Sequence, residues 1–261
     1  MNRLVFDIET VPDLEGGRRI YELEGLDDRD TANALFNIRR QETGNEFLRL
    51  HLHRVVAISV VLRSQSGIRV WSLGDEDSDE KEIIERFFDG VERFSPQLVS
   101  WNGTGFDLPV LHYRALLHGI RAGRYWETGD EDRAFRFDNY INRFHQRHLD
   151  LMDMLALYNN RAFAPLDQIA TLLGFPGKMG MSGGQVFEEF AAGNLRGIRE
   201  YCETDVLNTW LVFLRFQLLR GQLDHAGYEE ELAVLREYLA GEEREHFDAF
   251  LRAWEQAGKT R

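Results

Sequence analysis

Short apolar segments alternate with amphipathic ones along the 261-residue chain, and their order predicts an α/β fold. Residues 3–9 carry Val and Phe in weak alternation, which indicates a buried strand that Pro12 closes. A β-branched run over 54–62 and a second strand over 68–73 flank a Ser/Gly-containing turn, so this pair predicts a hairpin. A short apolar segment over 97–101 predicts a fourth strand.

Between the predicted strands, apolar residues recur at helical spacing and predict helices. Residues 14–50 are charged and amphipathic and predict a helical insertion, and residues 148–153 predict a fifth short strand. Further helices are expected over 75–91, 108–118, 165–173, 185–192 and 195–219. We expect one principal domain over 1–221, followed by a helical C-terminal appendage over 222–261.

The order of these elements restricts the topology. Hairpin-linked strands pair antiparallel, whereas strands joined through a helix pair in parallel. The sequence therefore predicts a mixed five-stranded sheet flanked by helices, which fits the ribonuclease H-like architecture.

Composition restricts the class of protein. The chain is 43% hydrophobic and 29% charged, as in soluble globular proteins. Its apolar run over 55–62 is far shorter than the roughly 18–20 residues of a membrane span. Charges at Arg3 and Asp7 interrupt any apolar leader, so we expect no signal peptide. The single cysteine, Cys202, excludes a disulfide framework, and we expect a reducing, cytoplasmic setting.

The acidic balance narrows the choice of partners. A net charge of −13 argues against a protein that coats duplex nucleic acid through phosphate contacts. It is compatible with an enzyme that holds one strand end through bound metal ions.

Carboxylates occur at three informative places. Asp7 and Glu9 are two apart on a predicted strand, so they point the same way with Cα atoms about 6–7 Å apart. Asp107 follows the fourth predicted strand, where α/β sheets place ligands. Tyr201 and Asp205 are four apart on a predicted helix and share a face. Such hard oxygen ligands from several elements are what a two-metal site needs.

Each motif also has a purely structural interpretation. An Asp-x-Glu pair is usually a solvated strand edge, and Asp107 could cap a helix. Tyr201 and Asp205 could form the polar edge of an amphipathic helix. The apolar flanks of the first pair favour function because unpaired buried carboxylates are costly. The succession of all three motifs favours a metal site more strongly than any one of them.

In this order the motifs resemble those of the DEDD superfamily of 3′–5′ exonucleases, and the tyrosine four residues before the last aspartate marks its DEDDy branch. Longer stretches resemble predicted exonucleases related to the proofreading domain of family B DNA polymerases. These stretches are 6–12, 53–62, 98–111, 174–181 and 201–221. The resemblance implies a ribonuclease H-like 3′–5′ exonuclease that acts on single-stranded nucleic acid, with DNA favoured.

The resemblance also implies roles for individual residues. Four side chains, here called the carboxylate cluster, would hold two divalent ions, Mg²⁺ or Mn²⁺: Asp7, Glu9, Asp107 and Asp205. Tyr201 would orient the attacking water, because an ordinary pKa near 10 makes a tyrosine a poor base unaided. The product would be a nucleoside 5′-monophosphate.

Substrate contacts are expected beside this cluster. Asn102 and Phe106 match positions that approach the terminal nucleotide in the family. The glycine-containing loop 176–181, with Lys178, is expected to approach the substrate backbone, although a plain connection is the alternative. Arginines over 121–147 are a further candidate rim, but interleaved acidic residues make a solvated loop an equal alternative.

A second assignment of the last motif remains open. His145 and Asp150 have the His-x4-Asp spacing of the DEDDh branch, in which the histidine would be the base and Asp150 the fourth ligand. We favour Tyr201 because Asp150 falls on a predicted strand, where it would be a site-wall or structural carboxylate. Cys202 is expected to face away from the tyrosine side of its helix.

The sequence also leaves substrate and partners open. An exoribonuclease or oligoribonucleotide-trimming enzyme is the alternative within the class, because no 2′-hydroxyl sensor can be located. A non-catalytic nucleic-acid-binding module is the alternative outside it. The segments 14–50 and 222–261 are candidate surfaces for a protein partner or a homodimer.

Overall fold

A mixed five-stranded sheet lies at the centre of the protein, for which this computed structural model describes residues 2–259. Its strands are β1 (Arg3–Pro12), β2 (His53–Ser64), β3 (Gly67–Ser72), β4 (Gln97–Ser100) and β5 (His148–Asp150). Their order is β3-β2-β1-β4-β5. The hairpin β2–β3 and the pair β1–β2 are antiparallel, whereas β4 runs parallel to both β1 and β5. The predicted α/β class and ribonuclease H-like arrangement are confirmed.

Helices flank this sheet on both faces. Among residues 2–259 they are α1 (Leu14–Tyr21), α2 (Asp28–Thr43), α3 (Glu80–Phe94), α4 (Asp107–His118), α5 (Gly123–Trp126), α6 (Leu151–Leu155), α7 (Leu166–Leu172), α8 (Val186–Ala191), α9 (Leu195–Leu219), α10 (His225–Gly241) and α11 (Glu245–Lys259). None of these described helices combines the length and apolar character that a membrane crossing requires.

Alternation along β1 sends its side chains into two separate cores. Leu4, Phe6 and Ile8 pack with residues of α3 and α4 on one face. Val5, on the other face, packs in the core built around α9. Successive strand residues point to opposite faces. Asp7 and Glu9, the next two residues that point to the same face as Val5, therefore face α9.

The insertion and the C-terminal segment are helical, as predicted. Helices α1 and α2 pack around a small core of Leu35, Leu48 and Leu52. Helices α10 and α11 contribute buried residues, including Leu235 and Phe250, to the same core as α9. The C-terminal helices thus pack on the α9 side of the sheet, and the domain boundary after residue 221 stays a prediction.

Two predicted element boundaries are wrong. The strand expected over 148–153 ends at Asp150, because this side chain accepts hydrogen bonds from two N–H groups at the start of α6 and turns the chain into a helix. The helix expected from residue 75 begins at Glu80, where Asp79 is the N-cap. Both boundaries are set by an aspartate N-cap that accepts from N–H groups two or three residues later.

Candidate active site

The second half of β1, which carries Asp7 and Glu9, has no strand partner on its β4 side among residues 2–259. β1 pairs with β4 only over residues 3–5, so its later N–H groups on that side lack a strand partner. The N–H of Ile8 instead donates to Oδ1 of Asp107 at 3.2 Å. This bond brings the first residue of α4 against β1 between Asp7 and Glu9.

Helix α9 closes the same site from the other direction. Its Cys202 Sγ lies 3.8 Å from Oδ2 of Asp7 and 3.5 Å from the Asp7 carbonyl oxygen. Ligand-type atoms of Asp7, Glu9 and Cys202 all lie within 4.8 Å of one another. The expectation that Cys202 faces away is wrong, because positions 202 and 205 lie three apart on one helix face and share the β1 side.

Burial raises the pKa of every member of the carboxylate cluster, and repulsion from other members raises the pKa of Asp7 and Glu9 further. Burial and then repulsion from Asp107, Glu9 and Asp205 raise the pKa of Asp7 well above its ordinary value. Burial and then repulsion from Asp205 and Asp107 raise the pKa of Glu9 well above its ordinary value. Burial raises the pKa of Asp107 to about 7 and that of Asp205 to about 6. The four carboxylates therefore lie near enough to influence one another electrostatically, and Asp107 is tied to β1 by the Ile8 N–H. Among the described residues, however, the group of ligand atoms mutually within 4.8 Å comprises Asp7, Glu9 and Cys202, without Asp107 and Asp205.

This donor set fits divalent ions. The cluster offers hard oxygen ligands from β1, α4 and α9, which suit Mg²⁺ or Mn²⁺ better than a thiolate-preferring metal. Lys178 lowers the pKa of both Glu9 and Asp205, but its side chain is exposed to solvent. Concentrated negative charge in a desolvated site is costly, and bound cations would relieve that cost.

Tyr201 lies at the edge of the cluster. The residue is 9% exposed, and its hydroxyl lies near the carboxylate of Asp205. Burial, followed by repulsion from Asp205 and Glu9, raises the pKa of the Tyr201 hydroxyl. The phenol therefore stays protonated at neutral pH and can orient a water molecule but cannot take its proton.

The loop between β4 and α4 presents the expected nucleotide-contacting residues. Asn102 has a left-handed backbone with φ of 65°, which asparagine tolerates better than most residues. Its carbonyl oxygen accepts from the N–H of Phe106 at 3.0 Å. Gly103 has no room for a side chain, because a Cβ would lie 2.3 Å from Oγ of Ser100. Phe106, the residue directly before Asp107, is half-buried at the end of this tight turn.

Asp150 holds that loop. Its Oδ1 accepts from the N–H of Asn102 at 2.9 Å, and its Oδ2 accepts from the N–H and hydroxyl of Thr104 at 2.9 and 2.6 Å. His145 lies in the preceding loop, where its Nδ1 accepts from the N–H of Asn139 at 2.9 Å. Asp150 is thus occupied as an acceptor for backbone groups, while His145 supports its own loop.

We expect Asp150→Ala to lower the free energy of unfolding of the metal-free protein by about 2–4 kcal/mol, because several N–H groups lose a charged acceptor. Urea denaturation in chelator measures this loss. Unchanged or increased stability together with weaker metal binding would instead make Asp150 a metal ligand, as the histidine assignment requires.

A residue that the sequence analysis missed fixes the loop carrying Lys178. Asn208, three residues after Asp205 on α9, accepts from the N–H of Gly177 at 3.1 Å and donates to its carbonyl oxygen at 2.8 Å. Gly177 has φ of 66°, and a Cβ there would lie 2.6 Å from Oγ1 of Thr171. The spacing of Asn208 on the Asp205 face was the signal available in the sequence.

The arginine-containing segment 121–147 is partly turned inward. The guanidinium carbons of Arg124 and Arg147 lie 4.1 and 3.8 Å from the ring centroid of buried Phe135. Arg143 pairs with Asp153 at 3.4 Å. Arg124 and Arg147 thus support the packing of their own segment, and Arg143 connects it to α6.

Comparison with known proteins supports the class of this site. A family model described as a predicted 3′–5′ exonuclease related to the exonuclease domain of PolB matches residues 45–254. The chain belongs to this family. The match contains Asp107, Tyr201 and Asp205 but begins after Asp7 and Glu9, and it extends past residue 221 into α11.

One solved structure similar to this chain is the family B DNA polymerase from the hyperthermophilic archaeon Pyrobaculum calidifontis. The two are 22% identical with a TM-score of 0.47, over 84% of this chain and 24% of the polymerase. This chain therefore spans about a quarter of the polymerase's length. No curated protein sequence matches the chain.

Proposed function

We propose that this protein is a metal-dependent 3′–5′ exonuclease of the DEDDy type. It would remove nucleoside 5′-monophosphates from the 3′ end of single-stranded nucleic acid, with DNA favoured over RNA. The observation that carries the proposal is the grouping of four carboxylates from β1, α4 and α9, of which Glu9 and Asp107 are buried and Asp7 and Asp205 half-buried, with Tyr201 beside Asp205. Membership of the predicted exonuclease family supports the reaction class.

Each residue has a defined task in this proposal. Two bound divalent ions, Mg²⁺ or Mn²⁺, would supply Lewis acidity to the attacking water and to the leaving 3′ oxygen. The carboxylate cluster would hold the ions, and the Ile8 N–H would fix one oxygen of Asp107 so that the other faces the site. The protonated hydroxyl of Tyr201 would orient the water for in-line attack.

The substrate contacts follow from position. Phe106, half-buried directly before Asp107, would pack against the terminal nucleotide beside Asn102. The exposed ammonium of Lys178 is close enough to lower the pKa of Glu9 and Asp205, so it would pair with a substrate phosphate. We further propose a cytoplasmic enzyme, with the segments 14–50 and 222–261 as surfaces for a protein partner or a second copy.

A strand-shortening assay tests this function. Single-stranded DNA and RNA oligonucleotides labelled at the 5′ end are incubated side by side with Mg²⁺ or Mn²⁺. We expect a ladder of progressively shorter labelled products, faster for DNA, that disappears with chelator. Faster shortening of RNA would favour the exoribonuclease alternative. Binding without any metal-dependent shortening would refute the proposal and favour the non-catalytic module.

A further inference from the structure

A groove continues from the carboxylate cluster along the helical insertion. Its volume is about 1760 Å³, and Glu9 lines it together with residues of α1, α2 and the loop after α2. Pockets for a single small molecule usually measure roughly 300–1,000 Å³. The groove therefore has room for more than the terminal nucleotide. Helices α1 and α2 precede the residues that match the family model, so this wall is additional to the matched segment.

An exposed aromatic ring stands in this groove. Phe47, in the loop after α2, is 56% exposed, and its ring centroid lies 5.7 Å from that of Phe106. Both rings contact the imidazole of His53, at 5.3 and 5.2 Å. All three residues line the same groove as Glu9. Phe106, directly before Asp107, and Phe47 thus form an aromatic pair in the groove.

The backbone of Phe47 is held in place although its ring is exposed. Nε of Arg39 donates to the Phe47 carbonyl oxygen at 2.8 Å, and Oδ1 of Asn45 accepts from the Phe47 N–H at 3.0 Å. Beneath the ring, Nδ1 of His53 lies 2.8 Å from the Thr10 hydroxyl and fixes the imidazole on β1. These contacts preorganise the ring, which reduces the entropy lost when a ligand stacks on it.

We propose that Phe47 stacks on the unpaired nucleobase next to the 3′-terminal nucleotide, with Phe106 beside the terminal nucleotide itself. This inference rests on the proposed function. Phe106 adjoins Asp107, and the ring of Phe47 contacts that of Phe106 in the same groove, so a base next to the terminal nucleotide would meet the Phe47 ring. Stacking on an aromatic face is tolerant of base identity. The ligand is therefore an unpaired 3′ end of any sequence.

Affinity measurements on Phe47→Ala test this inference. Alanine substitution of a base-stacking ring usually weakens binding by roughly 5- to 150-fold. We expect a loss in that range for a single-stranded oligonucleotide, measured by fluorescence anisotropy with Ca²⁺ in place of Mg²⁺. Phe47→Trp should bind at least as tightly as the wild type. The matched control is Phe94→Ala, which removes a ring that is 42% exposed at the end of α3, outside the groove.

A strand lacking one base identifies the contact. We expect the Phe47→Ala loss to vanish when the penultimate nucleotide is abasic, and to persist when the abasic site lies far upstream. A loss independent of the abasic position, or no loss at all, would overturn the inference.

A single-nucleotide substrate separates this inference from the function on which it rests. The p-nitrophenyl ester of thymidine 5′-monophosphate has no penultimate base, so Phe47→Ala should cleave it like the wild type. A wild type that binds strands through Phe47 but cleaves neither strand nor ester would refute the exonuclease and leave the stacking site supported. If the wild type and Phe47→Ala both cleave the ester and bind the strand with equal affinity, the stacking site is refuted and the exonuclease is not.

Discussion

Asp7→Asn is expected to abolish strand shortening while making the metal-free protein more stable. Loss of a ligand removes several kcal/mol of transition-state stabilisation, which corresponds to a fall in kcat on the order of a thousandfold. Without metal, the substitution removes a carboxylate that Asp107, Glu9 and Asp205 repel. The melting temperature of the metal-free Asp7→Asn protein should therefore rise by about 2–4 °C for each kcal/mol of repulsion relieved.

Thermal unfolding with and without Mn²⁺ separates these two effects. Wild-type protein should gain stability with Mn²⁺, by about 2.7 kcal/mol at a hundredfold excess over the dissociation constant, and Asp7→Asn should lose that gain. The control Asp89→Asn alters an exposed carboxylate of α3 and should change neither activity nor the Mn²⁺ response. A metal-free Asp7→Asn protein less stable than the wild type would contradict the repulsion that we infer.

Tyr201→Phe is expected to lower kcat about a hundredfold with little change in KM, because it removes one preorganised hydrogen-bond donor and leaves the ring in place. Stability should change little, since the hydroxyl adjoins the carboxylate cluster and the ring packs below it. The measurement is steady-state cleavage of a saturating oligonucleotide.

His145→Ala provides the comparison that tells the two branches apart. Its ring accepts a hydrogen bond from Asn139 within one loop, so we expect cleavage within about twofold of the wild type. A large loss of kcat in His145→Ala, with Tyr201→Phe near normal, would assign the chain to the histidine branch.

The sequence predicted the features whose signals are local. The β-branched run of β2, the turn before β3 and the apolar stripe of α9 each carry their own periodicity, so these elements formed where expected. The two-residue spacing of Asp7 and Glu9 fixed their common face through the geometry of one strand. The order of the strands then restricted the topology to a mixed sheet.

Long-range pairing could not be predicted in the same way. Asp107 bonds to Ile8 across 99 residues, and Asp150 reaches Asn102 across 48, so neither contact leaves a periodic signal. Cys202 was misplaced because its direction was judged from Tyr201, although its three-residue spacing from Asp205 puts both side chains on the β1 face of α9. Phe47 was overlooked because the insertion reads only as an amphipathic segment until it folds beside β1.

Anomalous diffraction from crystals soaked with Mn²⁺ and thymidine 5′-monophosphate tests the central claim most directly. The account predicts two manganese peaks about 3.5–4 Å apart, both coordinated by the carboxylate cluster, with the product phosphate bridging them. The wild type should show both peaks, and Asp7→Asn should lose at least one. Manganese bound elsewhere, or no manganese between β1 and α9 in an active enzyme, would contradict the account.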